Sequence, residues 1–352
     1  MKKLTGVLIG CGAIAREHLA AVRDLDNVEM IAVCDLSEAR AESTAERFGV
    51  PHWYTQHDLM LREHRPDLVH ITAPPATHFP LAEHCLSSGL NVLCEKPIVT
   101  RYEDFKTLKQ LAGEKRCYFL ENQNLRYHSS IRRIQKIIAS GTFGDLVDVQ
   151  IFFSLNLVGA GSPYIDRNVP HFGAALPGGV IGDFLTHIAY LAYIFAGSAD
   201  EVRTIWSKHT KDTPLPSDEF RGFIKGARAP AYLGFSGSSE PNGYWVRITG
   251  TQMVVEANLL DPPRLIVRRR RRGEASLAAL VDGIAEARDV FRGTLGAFWR
   301  KLGGVSSYDG LPEMIKETYR ALAANEPQPI PLAEIENTAH LVSRFTAPES
   351  MI

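Results

Sequence analysis

Three groups of residues have the types and spacing that chemistry needs. The first is Gly10-Cys11-Gly12-Ala13-Ile14-Ala15, which fits G-x-G-x-x-G/A between a short apolar run and a stretch with helical spacing. In such a loop Gly10 permits a tight turn. Gly12 has no Cβ to hold a pyrophosphate away from the backbone, and Ala15 keeps helix and strand close. The helix N-terminus then offers N–H groups and a partial positive charge to the phosphates. A glycine turn without a ligand is the plainer account of the motif alone. Asp35 ends the second strand, at the separation where a carboxylate accepts hydrogen bonds from the adenosine ribose and repels a 2′-phosphate. That favours NAD over NADP, although Ser37 and Arg40 nearby soften the preference.

The second group is Glu95-Lys96-Pro97, at the end of an apolar run where doubly wound sheets bind ligands. An ammonium there, with its proton affinity lowered by partial burial beside an oxidised nicotinamide, can carry a proton. From position alone, a surface charge serves equally. The third group is Gly178-Gly179-Val180-Ile181-Gly182-Asp183-Phe184-Leu185-Thr186-His187. Asp183 and His187 stand at i and i+4 and share one helix face, half buried among Phe184, Leu185 and Ile188. A satisfied core His–Asp pair competes with a catalytic one. No further ligand follows at zinc spacing, so no metal is expected.

Positioning these groups requires alternating strands and helices. Apolar runs at 7–9, 30–34, 68–71, 91–94 and 117–121 read as strands. Helical stretches lie between them: 13–23, 37–48 (with Ser37 as cap and Gly49 and Pro51 as stop), 79–88 and 102–112. This β-α-β order predicts a parallel sheet covered on both faces. Beyond about residue 122 the pattern changes. A helix at 129–139, a long strand at 146–155, an irregular Gly/Pro-rich stretch at 156–177 and a helix at 180–195 precede strand-like runs between 201 and 268. Those runs suggest an antiparallel sheet.

The 352 residues suggest two domains, and 45% hydrophobic with 22% charged residues is the composition of a folded globular protein. Lys and Arg number 39 against 40 Asp and Glu, so nothing draws the chain to nucleic acid or anionic lipid in general. Five cysteines (Cys11, Cys34, Cys85, Cys94 and Cys117) without C-x-x-C spacing argue against a disulfide framework or zinc finger and fit a reducing cytoplasm. Cys34 and Cys94 read as buried thiols. No apolar run reaches membrane-span length. Met1-Lys2-Lys3 and the apolar residues after it imitate a signal peptide, but the run is too short for one. The segment 268–304 opens with Arg268 to Arg272 and continues as an amphipathic helix through Leu280, Ile284, Val290, Phe291, Leu295 and Phe298. It reads as a solvated charge run with a packing or oligomer-facing helix; a membrane-surface or polyanion-gripping helix is the alternative.

The pieces GCGAIA, CEKP, ENQNLRY and GGVIGDFLTHIAYL, in that order, resemble the Gfo/Idh/MocA oxidoreductase family over 1 to about 260 and again from about 308 to 346. The segment 268–304 departs from the family pattern. The resemblance implies an α/β protein with a Rossmann doubly wound parallel sheet at 1–122. A substrate-binding and oligomerisation α/β domain at 123–352 would follow, with an open, mostly antiparallel sheet making a homodimer or homotetramer. It also implies that Gly10, Cys11, Gly12, Ala13, Ile14, Ala15, Asp35, Thr72, Ala73, Pro74, His78, Glu95, Lys96 and Asn124 bind NAD(P). Lys96 would act as acid/base, with Asp183 and His187 beside it. Glu95 would fix Lys96 and touch the nicotinamide ribose, and a cis peptide would precede Pro97. Asn124 and Arg126 match the start of the second domain, where Arg126 would hold the crossover or touch the ligand. Lys96, Arg126, Tyr164, Arg167, Asp183 and His187 are the substrate-binding candidates. Tyr164, Asp166, Arg167 and His171 fit a substrate loop and a mere surface equally. The expected reaction moves a hydride between a secondary hydroxyl of a sugar, polyol or sugar derivative and nicotinamide. Alternatives are a non-catalytic dinucleotide-binding regulator and an NAD-dependent glycoside hydrolase.

Overall fold

The computed structural model describes residues 3–168, 171–260, 264–270, 276–302 and 308–347. The chain divides into two units: Met1–Tyr127 with Tyr308–His340, and His128–Ser307 with Leu341–Ile352.

The first unit begins with β1 (Leu4–Ile9), α1 (Ala15–Arg23), β2 (Val28–Cys34), α2 (Glu38–Phe48), β3 (His52–Tyr54) and α3 (His57–Glu63). It continues with β4 (Leu68–Ile71), α4 (His78–Ser87), β5 (Val92–Cys94), α5 (Tyr102–Lys115) and β6 (Phe119–Glu121). The six strands lie in the order β3-β2-β1-β4-β5-β6, every pair parallel. That is the doubly wound order with its switch point between β1 and β4. The apolar runs become strands because helices cover both faces: β4 and β5 are buried at every residue. Leu4 to Ile9, whose apolar run imitates a leader, forms β1 in the middle of the sheet. Ser37 occupies the N-cap of α2, yet its side chain makes no capping bond; its N–H donates to Asp35 Oδ1 at 2.8 Å.

The second unit contains α6 (Ser129–Ala139), β7 (Leu146–Ser154), α7 (Gly179–Ala196), β8 (Ala199–Ser207), β9 (Glu219–Gly226) and β10 (Pro230–Ser236). β11 (Gly243–Gly250), β12 (Met253–Asn258), β13 (Arg264–Arg269) and α8 (Ser276–Leu302) follow. The strand order is β13-β12-β11-β7-β10-β9-β8, antiparallel except between β10 and β7. α7 lies against one face, where Phe184 stacks on Phe235 at 5.1 Å between centroids and meets Phe153 edge-on at 5.4 Å. α7 is long and apolar enough to cross a membrane, but 83% of it is buried within this unit. In α8, Leu280, Ile284, Phe291 and Leu295 are exposed. Arg268 pairs with Glu256 and Glu286. Arg271, Arg272 and the Phe298 side chain lie outside the described residues.

Two further helices, α9 (Leu311–Ala324) and α10 (Leu332–Phe345), close the chain. A linear division at 122/123 places 308–340 with the second domain, whereas the structure packs it with the first. Leu311, Met314, Ile315, Tyr319, Ile330 and Ile335 belong to the same apolar core as Val7 and Leu8. Packing that stripe against α1 and the sheet removes its apolar surface from water. Asn124 and Arg126 likewise lie inside the first unit rather than at the start of the second.

Candidate active site

The carboxyl edge of the parallel sheet is laid out by a ladder of backbone bonds just beyond the strands. Gly10 N–H donates to Cys34 C=O, Thr72 N–H to Ile9 C=O, Glu95 N–H to Ile71 C=O, and Asn122 N–H to Cys94 C=O, all at 2.8–2.9 Å. Asp35, Gly10, Thr72, Glu95 and Asn122 therefore follow one another along this edge, the side on which open α/β sheets bind ligands.

The two loop glycines differ. Gly10 has φ +100°, and a Cβ there would stand 2.5 Å from Ala73 N and 2.7 Å from Thr72 C. Its lack of a side chain lets the β4 turn close against the loop; the Thr72 hydroxyl also donates to Gly10 C=O at 2.6 Å. A Cβ on Gly12 would meet nothing within 4 Å. The space above Gly12 is thus open to a ligand, at the start of α1, whose N-terminus has no side-chain cap. Ala15 is fully buried against the sheet, while Ala13 is exposed and Ile14 half-buried. Asp35 tethers the loop: its Oδ2 accepts the Cys11 N–H at 2.9 Å and its Oδ1 the Ser37 N–H. Burial pushes the Cys11 thiol up to about 11 and the Cys34 thiol to about 12, so both stay protonated at neutral pH.

Ala73 and Pro74 continue the turn into a short 3₁₀ segment, Pro75–Thr77. His78 joins that turn to the strand end after β5. Its Nδ1 lies 2.8 Å from Pro97 C=O and its Nε2 2.8 Å from Ala73 C=O. Burial lowers its proton affinity while both carbonyls oppose the shift. The Lys96–Pro97 peptide is cis. Lys96 is half-buried, and its N–H donates to Glu95 Oε2 at 3.2 Å.

Glu95 is engaged through both of its carboxylate oxygens. His18 Nε2 and Asn122 Nδ2 reach its Oε1 at 2.8 and 2.6 Å. Burial alone would raise its carboxyl, but the bond from His18 and the charge His18 carries when protonated, the bond from Asn122 and the charge of Lys96 pull it well below the usual carboxylate range. Glu121, absent from the sequence-derived site, is a second buried carboxyl here. It accepts from Ile98 N–H and Gln123 Nε2, both at 3.0 Å. Burial raises it to about 7 against those two bonds. It sits inside the ENQNLRY piece, but no spacing rule marks it. Arg126 is committed within the unit, with its Nη1 2.6 Å from Glu334 Oε2. Asn124 is buried beside it.

In the second unit, Asp183 is buried and His187 half-buried on the same face of α7. His187 Nδ1 lies 2.8 Å from the Tyr190 hydroxyl. The Gly-rich entry has a packing cause, since a Cβ at Gly182 would collide with Pro177 C=O. Tyr164 comes to Phe184 at 6.1 Å and His171 at 4.7 Å between centroids, which places it beside the Asp183 turn. His171 accepts the Gly173 N–H and Asp166 the Asn168 N–H, so both shape local turns. Arg167 is exposed. Among the described residues, His57, Asp58 and His84 bring ligand atoms within 4.8 Å of one another, on α3 and α4 and apart from the groups above.

The open cradle at Gly12, the uncapped helix start and the carboxylate at the end of β2 define a dinucleotide-binding Rossmann domain. Residues 4–123 match the model of the GFO_IDH_MocA oxidoreductase family, described by its NAD-binding Rossmann fold. A D-apiose dehydrogenase of Paraburkholderia graminis is 28% identical over 169 residues, 48% of this chain and 45% of that protein. A dTDP-3,4-didehydro-2,6-dideoxy-alpha-D-glucose 3-reductase of Streptomyces violaceoruber is 30% identical over 201 residues, 57% of this chain and 56% of that one. The chain thus spans about half the length of these relatives. In fold it is similar to the WlbA dehydrogenase of Bordetella pertussis in complex with NADH and UDP-GlcNAcA. The TM-score is 0.76 at 17% identity, covering 99% of this chain and 95% of that one.

Proposed function

We propose that this protein is an NAD(P)-dependent oxidoreductase acting on a secondary hydroxyl of a sugar, polyol or sugar derivative. The observation that carries the reading is the row along the sheet edge: an open glycine cradle, and Lys96 two strands further on, held by a buried carboxylate. The sugar and nucleotide-sugar enzymes among the relatives support the substrate class.

In this reading Gly10 to Ala15 receive the pyrophosphate. Asp35 takes the adenosine ribose through acceptor capacity beyond its two backbone bonds, which favours NAD. Thr72, Ala73, Pro74, His78 and Asn124 line the remainder. Bound there, the nicotinamide cofactor would supply the hydride chemistry for the carbinol carbon. Lys96 removes the hydroxyl proton in oxidation and returns it in reduction. Within the second unit, Asp183 and His187 on one face of α7 and the nearby Tyr164 and Arg167 are assigned to substrate contact. Arg126 is given a framework role, because its charge is engaged by Glu334.

The test is Lys96→Ala, assayed with NAD and NADP across sugars, inositols, uronates and nucleotide sugars. NAD affinity is expected to persist while kcat falls by about 10²–10⁴-fold, the usual worth of a general acid–base. Unchanged turnover on a confirmed substrate would remove Lys96 from the role. Absence of turnover by the wild-type chain on the whole panel would remove the dehydrogenase reading.

A further inference from the structure

Four buried side chains of the first unit stand end to end. Glu95 Oε1 is 2.8 Å from His18 Nε2, His18 Nδ1 is 2.9 Å from His70 Nδ1, and His70 Nε2 is 2.9 Å from the Tyr319 hydroxyl. His18 and His70 are completely inaccessible and Tyr319 is 1% exposed. They come from α1, β4 and α9, and His70 and Tyr319 are 249 positions apart in the chain. A histidine in the centre of an otherwise apolar strand is costly unless its polar atoms are met, and the reaction proposed above uses none of these three.

The protons can be assigned from one end. Glu95 is ionised and only accepts, so His18 Nε2 carries a hydrogen. In neutral His18 the Nδ1 is then a lone pair. His70 Nδ1 must donate to it, which leaves His70 Nε2 to accept from the Tyr319 hydroxyl. Burial drives His70 strongly toward its neutral form, as this arrangement requires. Were His18 an imidazolium, His70 would have to donate to Tyr319, and the phenol hydrogen would lose the His70 nitrogen as its acceptor. The first arrangement gives every donor of the four side chains' contacts a partner within the row.

We propose that Tyr319, His70 and His18 form a one-directional hydrogen-bond chain that fixes the Glu95 carboxylate, making His18 a positioning residue for the proton transfer assigned to Lys96. The proposal rests on the dehydrogenase reading. The link to Lys96 is direct, because Glu95 Oε2 accepts the Lys96 N–H while Oε1 is held by His18 and Asn122. Rotation of the carboxylate would release the backbone of the acid/base. The chain orients and does not conduct, since its far end is closed by the core: a Cβ at Gly6 would collide with the Tyr319 hydroxyl.

Two measurements test it. Ring ¹⁵N NMR on the full chain should find His18 as the Nε2–H tautomer and His70 as the Nδ1–H tautomer, with Tyr319→Phe disturbing the His70 signals. A doubly protonated His18, an Nε2–H His70, or signals indifferent to Tyr319→Phe would overturn the chain; none of these readouts needs a substrate. In kinetics, His18→Leu removes the donor, whereas His18→Gln keeps an N–H within reach of Glu95. The leucine variant is expected to lose about 10²-fold in kcat, the cost of a small misplacement of a reacting group. Its KM should stay within about threefold, and glutamine should restore most of the rate. A leucine variant with wild-type kcat, or a glutamine variant no better than leucine, would overturn the positioning role. If leucine prevents folding, Tyr319→Phe carries the kinetic test with a smaller expected loss of kcat. Wild-type inactivity on every substrate would instead sink the dehydrogenase reading and leave the NMR result standing.

Discussion

At the scale of residues, the two buried carboxyls of the sheet edge respond to opposite pH ranges. Glu95 is held below the usual carboxylate range, so its contribution to stability is present above the unfolded carboxyl value of about 4.3 and is lost as pH falls through its lowered folded value. Glu121 is raised to about 7. Between about 4.3 and 7 the folded state binds more proton than the unfolded chain does, so this residue makes stability fall as pH rises through that window. Glu121→Gln retains an amide oxygen for the Ile98 N–H and removes the titration. Melting curves at pH 5 to 8 should show the wild type losing more Tm with rising pH than the variant does. Equal slopes would mean that Glu121 does not titrate in this range.

At the scale of elements, the glycine loop separates two physical tasks that one motif conceals. A methyl group on Gly10 must displace the backbone of the neighbouring turn. Gly10→Ala is therefore expected to cost about 1–3 kcal/mol of stability, from strain and overpacking together. A methyl on Gly12 enters open space. Gly12→Ala should keep its stability within about 0.5 kcal/mol and weaken NAD binding through lost backbone approach. Thermal melts and cofactor titration of the two variants make the comparison. A Gly12→Ala that binds NAD normally would move the pyrophosphate elsewhere. The motif was legible in the sequence because strand, loop and helix are contiguous. Which glycine serves the fold and which serves the ligand was not, because Thr72 and Ala73 arrive from a different strand.

At the scale of the whole molecule, the second unit presents a sheet with one face under α7 and an open face of unusual composition. Strand register lines up Ile205, Arg221, Gly234, Phe152 and Trp245 in one row. In the next row it lines up Arg203, Phe223, Tyr232 and Gln150. Ile205 and Tyr232 are 64% and 53% exposed. Such a patch supports the expected homodimer or homotetramer through this sheet. Ile205→Lys combined with Tyr232→Arg should yield a monomer by light scattering with Tm little changed. A wild-type mass already monomeric, or a variant mass unchanged, would reject this surface as the contact.

The sequence by itself determined what is local or periodic: the strand–glycine loop–helix unit, Asp35 at the end of β2, the apolar strands, and Asp183 and His187 on one face of α7. These follow from backbone geometry and side-chain period, which neighbours along the chain carry. Only the tertiary structure decided that Tyr308–His340 returns to the first unit, and that Arg126 is engaged by Glu334. It alone revealed that Glu121 is buried and that His18, His70 and Tyr319 meet behind Glu95. Each of those outcomes joins residues far apart in the chain. Long-range packing and the satisfaction of buried polar atoms select them, and neither leaves a periodic trace in the order of amino acids.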